Sequence, residues 1–303
     1  MSASSRDFIG YGEHSPNPHW PNGARLAVQF VINYEEGGEN CILDGDPASE
    51  QFLSEIVGAE AYLGQRHMSM ESIYEYGSRA GFWRLYRLFT ERQLPVTVFA
   101  VAQALQKNPA AIEAMHKANW EIASHGLKWI HYQSMPIEQE RQMMAKAIAI
   151  HTQVTGSRPL GWYTGRDSPN TRALVAESGG FRYHADSYAD DLPYWDYQFD
   201  KPLLIVPYTL DANDMRFATP QGFNSGEQFY RYLKDSFDFL YHEGEKTPKM
   251  LSIGLHCRLA GRPGRAMAVQ QFLDYVLTKN DVWVATRLAI AEHWQKTHPP
   301  ILP

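Results

Sequence analysis

The strongest constraint on this 303-residue chain is an alternation of short apolar or β-branched runs with longer segments of helical periodicity. Strand-like runs fall at 27–32, 96–101, 121–124, 203–206, 250–256 and 282–285; helical patterns fall at 80–92, 109–118, 136–154, 171–178, 226–241 and 265–278. Strands separated by helices are joined by crossovers rather than hairpins, so the pattern predicts βα units and a largely parallel α/β sheet. Proline opens two of the helical segments, where a missing N–H costs nothing. No internal repeat, charge block or low-complexity linker divides the chain. One domain over 1–303 is therefore expected, with an N-terminal extension over about 1–24 and an irregular insertion over about 37–77. A connection of that length without periodicity is more often functional or oligomeric than idle.

Composition narrows the function classes. With 28 Lys+Arg against 34 Asp+Glu there is no basic surplus, which argues against nucleic acid as a partner. No run approaches the roughly 20 apolar residues that a membrane helix needs. Cys41 and Cys257 are too few for a disulfide framework. The N-terminus carries no cationic segment ahead of an apolar core, so a cytoplasmic protein is expected. Aromatic residues, at 13%, are the one excess.

In parallel α/β proteins reactive groups collect at the carboxyl ends of strands, where loops vary without disturbing the core. The first strand runs into Asn33, Tyr34, Glu35, Glu36 and two glycines. Adjacent carboxylates on an extended chain face opposite ways, so one can enter a site while the other lies behind it or in solvent. The third strand ends in Ser124-His125-Gly126, and the 250–256 strand ends in His256. Cys257 follows His256 but points to the opposite face, which disfavours a Cys–His nucleophile pair. Three ionisable strand ends say more than any one of them.

The ordered segments NYEE, SHGLKW, TGSRPLGWYTGR, HADS and LSIGLH resemble the motifs of the polysaccharide deacetylase (NodB-homology) superfamily over most of the chain. The resemblance implies a deformed (β/α) barrel. Carried over residue by residue, it places Glu35 at the base position, Glu36 at a metal-ligand position, His125 as the first motif-two histidine, Asp186 as the fourth-motif aspartate and His256 as the acid. It also shows departures. The second metal-binding histidine is replaced by Trp129, whose indole has no lone pair to give, and His131 lies six residues beyond His125 rather than four. The family's motif-three arginine position is altered, leaving Arg166 to reach the site from three residues further on or to serve a different substrate group.

Those departures resemble one branch of the superfamily, the cofactor-independent allantoinases of the PuuE type, through matching stretches at 33–39, 124–129, 158–172, 186–195 and 255–265. The branch implies hydrolytic opening of the hydantoin ring of (S)-allantoin in purine and urate breakdown, with no cofactor or metal, in a homotetramer. On that reading Glu36 orients or deprotonates water, His125 polarises the carbonyl or shares the base role, His256 protonates the departing nitrogen and Glu35 tunes the set. Trp129, Trp162, Tyr163, Arg166 and Asp186 are the expected substrate-binding residues, and Tyr188 and Trp195 join the aromatics beside them. Asp190 and Asp191 read as loop capping. The Gly261–Arg265 stretch is left between a substrate clamp and a subunit contact.

Overall fold

The structure is a computed structural model that describes residues 6–301. Its centre is β1 (Leu26–Tyr34), buried along its whole length. A strand covered on both faces needs apolar residues nearly throughout, which is why its sequence reads as a continuous run. β8 (Lys249–His256) runs parallel along one edge, from Leu26 opposite Lys249 to Asn33 opposite His256. The other edge is shared, with β9 (Val282–Val284) beside residues 26–28 and β2 (Thr97–Ala100) beside residues 31–34. From β2 the sheet continues in parallel through β3 (Glu121–Ser124), β4 (Gly161–Trp162), β5 (Tyr183–His184) and β7 (Leu203–Ile205). It ends on β6 (Tyr194–Asp196), antiparallel to β7. β6 and β8 lie at opposite ends of this path, so the sheet curls into a barrel left open at one seam.

Alternation along β1 divides its side chains between two cores. Leu26, Val28, Phe30, Ile32 and Tyr34 face an outer core with α2 (Phe82–Thr90), α7 (Gly226–Glu243) and α8 (Pro263–Leu277). Phe30 meets Phe89 and Phe272 edge-on at 5.2 and 6.3 Å. Each such side chain contributes about 1.5–3 kcal/mol by leaving water. Ala27 and Val31 point into the barrel with Phe99, Tyr163, Tyr183 and Tyr208. Gln29, on the same parity, takes a hydrogen bond from fully buried Arg287 at 2.7 Å. The parity also sends Asn33 and Glu35 inward.

The other helices are α1 (Met68–Tyr76), α3 (Ala102–Lys107), α4 (Pro109–Lys117), α5 (Ile137–Thr155), α6 (Thr171–Ser178) and α9 (Arg287–Thr297). Three of them, α1, α3 and α9, go beyond the sequence reading, as do β4, β5 and β6. The short strands hold two or three residues each, below what periodicity resolves. The 37–77 stretch is not wholly irregular: its last turns form α1, which runs through a π-turn at Gly77–Gly81 directly into α2. At Gly81 a Cβ would overlap the Cys257 carbonyl, so only glycine lets this turn approach the end of β8.

Candidate active site

The carboxyl ends of β1, β3 and β8 converge on one carboxylate. Inward-facing Glu35 places Oε1 3.3 Å from Nε2 of His125 and 3.3 Å from Nε2 of His256. Its Oε2 accepts from Nη2 of Arg258 at 2.7 Å. All four side chains are buried. Burial pushes the Glu35 carboxyl upward, but the Arg258 guanidinium and the His256 ring outweigh it and hold it well below the usual carboxylate range. Burial likewise works against the charged form of His256, yet Glu35 and Asp214 prevail and lift its pKa to about 9.

Asp214 was not legible in the sequence. It sits in a short helical turn, Asp214–Ala218, and its Oδ1 lies 2.6 Å from Nδ1 of His256. Its Oδ2 accepts the backbone N–H groups of His256 and Ala260, both at 2.8 Å. Arg258 lies inside a matching stretch but was assigned no role. The structure makes it a hub, with Nε to the Leu53 carbonyl at 2.9 Å, Nη1 to Glu36 at 3.3 Å and Nη2 to Glu35.

Several expected residues stand away from this cluster. Glu36 does not face the imidazoles: Oε1 accepts from the backbone N–H and Nη1 of Arg258, and Oε2 accepts the N–H of Glu35 at 3.3 Å. Strand parity turns it behind Glu35, and burial raises its pKa against the opposing pull of Arg258. Asp186 holds a loop. Its oxygens accept from the N–H groups of Thr164 and Gly165 at 2.7–3.0 Å, fixing the loop that leads to Arg166. Burial, reinforced by Asp167, raises its pKa to about 7. Trp162 lies in a separate core cluster with α5 and α6 residues, its indole N–H on Thr164 Oγ1 at 2.9 Å. Tyr163 stacks on Phe99 at 4.6 Å and meets the His125 ring at 4.8 Å. Of the remaining aromatics, Trp195 is tied to the His298 carbonyl at 2.8 Å, and Tyr188 is partly exposed with its hydroxyl 3.0 Å from that of Tyr163. Asp190 caps its own loop by accepting from the Leu192 N–H. Arg262 and Arg265 both pair with Glu55, so this stretch anchors the 37–77 insertion.

The fold family implies a divalent metal, and the residues here do not fit one. Trp129 occupies the second histidine position, with the Arg166 guanidinium 3.7 Å and that of Arg258 4.9 Å from its ring centroid. Two fixed cations against the ring would repel a third, and the carboxylate at the ligand position is already held by Arg258. His131 is exposed and lines a separate surface hollow with Gln133, Ser134 and Gln139. Among the described residues, no three His, Cys, Asp or Glu are grouped to hold a metal.

An open (β/α) barrel with a buried carboxylate–imidazole cluster at its strand ends defines a class of hydrolase-like α/β proteins. The comparisons make the class specific. A polysaccharide deacetylase family model matches residues 66–184. A Schizosaccharomyces pombe protein, provisionally named a polysaccharide deacetylase, is 45% identical over 97% of this chain and 98% of its own length. The chain belongs to the polysaccharide deacetylase family. The crystal structure of PuuE allantoinase superposes with a TM-score of 0.97 at 58% identity, covering 98% of this chain and 99% of that one. A Pseudomonas aeruginosa PAO1 structure, also provisionally named a polysaccharide deacetylase, matches at TM-score 0.97 and 60% identity over 98% and 100%. Among the described residues, no helix is long and apolar enough to cross a membrane.

Proposed function

We propose that the chain is a cyclic-amide hydrolase that opens the hydantoin ring of (S)-allantoin to allantoate using side chains in place of a metal. The observation that carries this reading is the division of the family's site. Glu35, His125 and His256 keep a converging acid–base set, while Trp129, under two guanidinium groups, replaces a metal ligand. The likeness to PuuE allantoinase supports the same reading.

Hydrolysis needs a water deprotonated, an oxyanion supported and a departing nitrogen protonated. Glu35, kept ionised by Arg258, takes the proton of the attacking water, and His125, facing the same oxygen, orients that water or polarises the carbonyl. His256, charged at neutral pH and steadied by Asp214, gives its proton to the ring nitrogen as the C–N bond breaks. A carboxylate held this low is a weak base. Its basicity rises as the neighbouring imidazolium discharges, because the two groups titrate as a pair, so the two proton transfers assist each other. The ring carbonyl that becomes the allantoate carboxyl shares its nitrogen with a second carbonyl, and this imide-like unit is a more activated electrophile, with a better leaving nitrogen, than an acetamide, which suits a metal-free route.

A role in purine and urate breakdown, a cytoplasmic location and a homotetramer belong to the same proposal. The purified protein, with and without chelator, is incubated with (S)-allantoin, racemic allantoin and N-acetylated chitooligomers. Allantoate insensitive to chelator is expected. Acetate released only with metal would overturn the reading in favour of a metal-dependent deacetylase, and no product would favour a non-catalytic binding module.

A further inference from the structure

Resting on the allantoin reading, we infer that Arg166 is a specificity-determining residue whose free N–H edge grips the substrate's ureido arm, away from the bond that breaks. Its side chain is only 6% exposed. The guanidinium lies against the rings of Trp129 at 3.7 Å and Phe52 at 4.6 Å, and Nη1 reaches the Trp129 carbonyl at 3.5 Å. Nε and Nη2 are buried with no acceptor at all. Glu50 Oε1 pairs with Nη2 at 3.9 Å, beyond hydrogen-bond reach, and the Glu50 oxygens already accept from Asn40, Gln51 and Phe52.

The contrast with Arg258, against the same indole, shows how this fold treats a guanidinium that serves structure. Arg258 directs Nε, Nη1 and Nη2 onto Leu53, Glu36 and Glu35. Arg166 leaves unfilled the Nε–Nη2 edge, the pair of parallel donors that suits a planar acceptor. Charged donors withheld from water and left without a hydrogen bond are unfavourable, so the arrangement makes sense when a ligand supplies the acceptor. The flat walls beside that edge favour a planar, neutral group of the urea type. Arg166 makes no hydrogen bond or ion pair with Glu35, His125 or His256, and Arg258 already fills the cation position beside Glu35. Its acceptor is therefore the arm of the substrate rather than the carbonyl under attack.

The test compares wild type with Arg166→Gln and Arg166→Met on allantoin and on unsubstituted hydantoin, which lacks the ureido arm. Hydantoin is read as a KM if it is turned over and as a competitive Ki if it is not. For Arg166→Gln, kcat/KM for allantoin is expected to fall roughly 10²-fold while the hydantoin constant moves less than about threefold. Arg166→Met, which keeps an apolar stem against Trp129 but gives up the 3.9 Å pairing with Glu50, is expected to fold cooperatively with a lowered Tm and to show the same selective loss on allantoin. Equal losses on both ligands in either variant would assign the residue to the attacked ring or to the scaffold and overturn the inference. Unchanged allantoin kinetics would overturn it too. Failure of the parent reading shows separately, as a wild-type protein inert toward allantoin.

Discussion

Oδ1 of Asp214 lies 2.6 Å from Nδ1 of His256, and its other oxygen accepts the backbone N–H of that same histidine at 2.8 Å. The carboxylate thus fixes both the ring and the backbone of the residue that ends β8. Asp214→Asn keeps the shape and removes the charge. The His256 pKa is expected to drop from about 9 toward its ordinary value, and kcat to fall by about 10²-fold or more. NMR titration of the His256 ring, together with kcat, checks this; an unmoved pKa would dissociate Asp214 from the acid.

The same shift sets the alkaline limit of the wild type. His256 has a folded pKa of about 9, above the ordinary 6.5, so its stabilising pairing is fully present below 6.5 and is lost as pH rises through about 9. Activity that depends on the protonated ring follows the same limb. The pH profiles of kcat and of urea unfolding are expected to decline together near pH 9. A flat kcat profile to pH 10 would remove His256 from the acid role.

Glu35 and Glu36 make a discriminating pair. Glu35→Gln is expected to reduce kcat by about 10³-fold or more with the fold retained, because the neutral amide cannot take a proton. Glu36→Gln is expected to act mainly on stability, since Glu36 meets Arg258 behind the site. Glu35 pairs with the same guanidinium at the shorter distance, so both variants lose stability and kcat of the folded protein separates them. Urea denaturation and steady-state kinetics on both variants decide it. A kinetic effect of Glu36→Gln as deep as that of Glu35→Gln would return the base role to Glu36.

Trp129→His restores the family's residue at the second motif position. Because Arg166 and Arg258 stay close to that position, the variant is expected to lose activity about tenfold or more and to bind no zinc. Elemental analysis after zinc loading, followed by kinetics with and without EDTA, measures both. Stoichiometric zinc with chelator-sensitive activity would show that the metal site needs only the missing imidazole.

Gly81→Ala tests the join between the π-turn and the end of β8. The new Cβ would overlap the Cys257 carbonyl, backbone that cannot rotate away, so a loss of about 3 kcal/mol or more is expected. A urea midpoint within error of wild type would show that the turn is slack.

The alternation of apolar runs with helical periods was enough to predict a parallel α/β sheet, and the period of two in β1 was enough to say that Glu35 and Glu36 face apart. His125 and His256 were legible because each ends a recognisable strand. Which of the two glutamates faces the histidines needed the sheet's handedness and neighbours, because parity says only that they differ. Asp214 is 42 residues from His256, in a turn with no periodic signal, and becomes its partner only where Asn213 bridges to Gly254 in the curled sheet. The occupants of the space around Trp129 were equally hidden, since Arg166 and Arg258 come from loops far apart in the chain. Local periodicity records which face of its own element a residue occupies. Charge pairing in a buried site depends on which elements the closed fold brings together, and that only the tertiary structure decides.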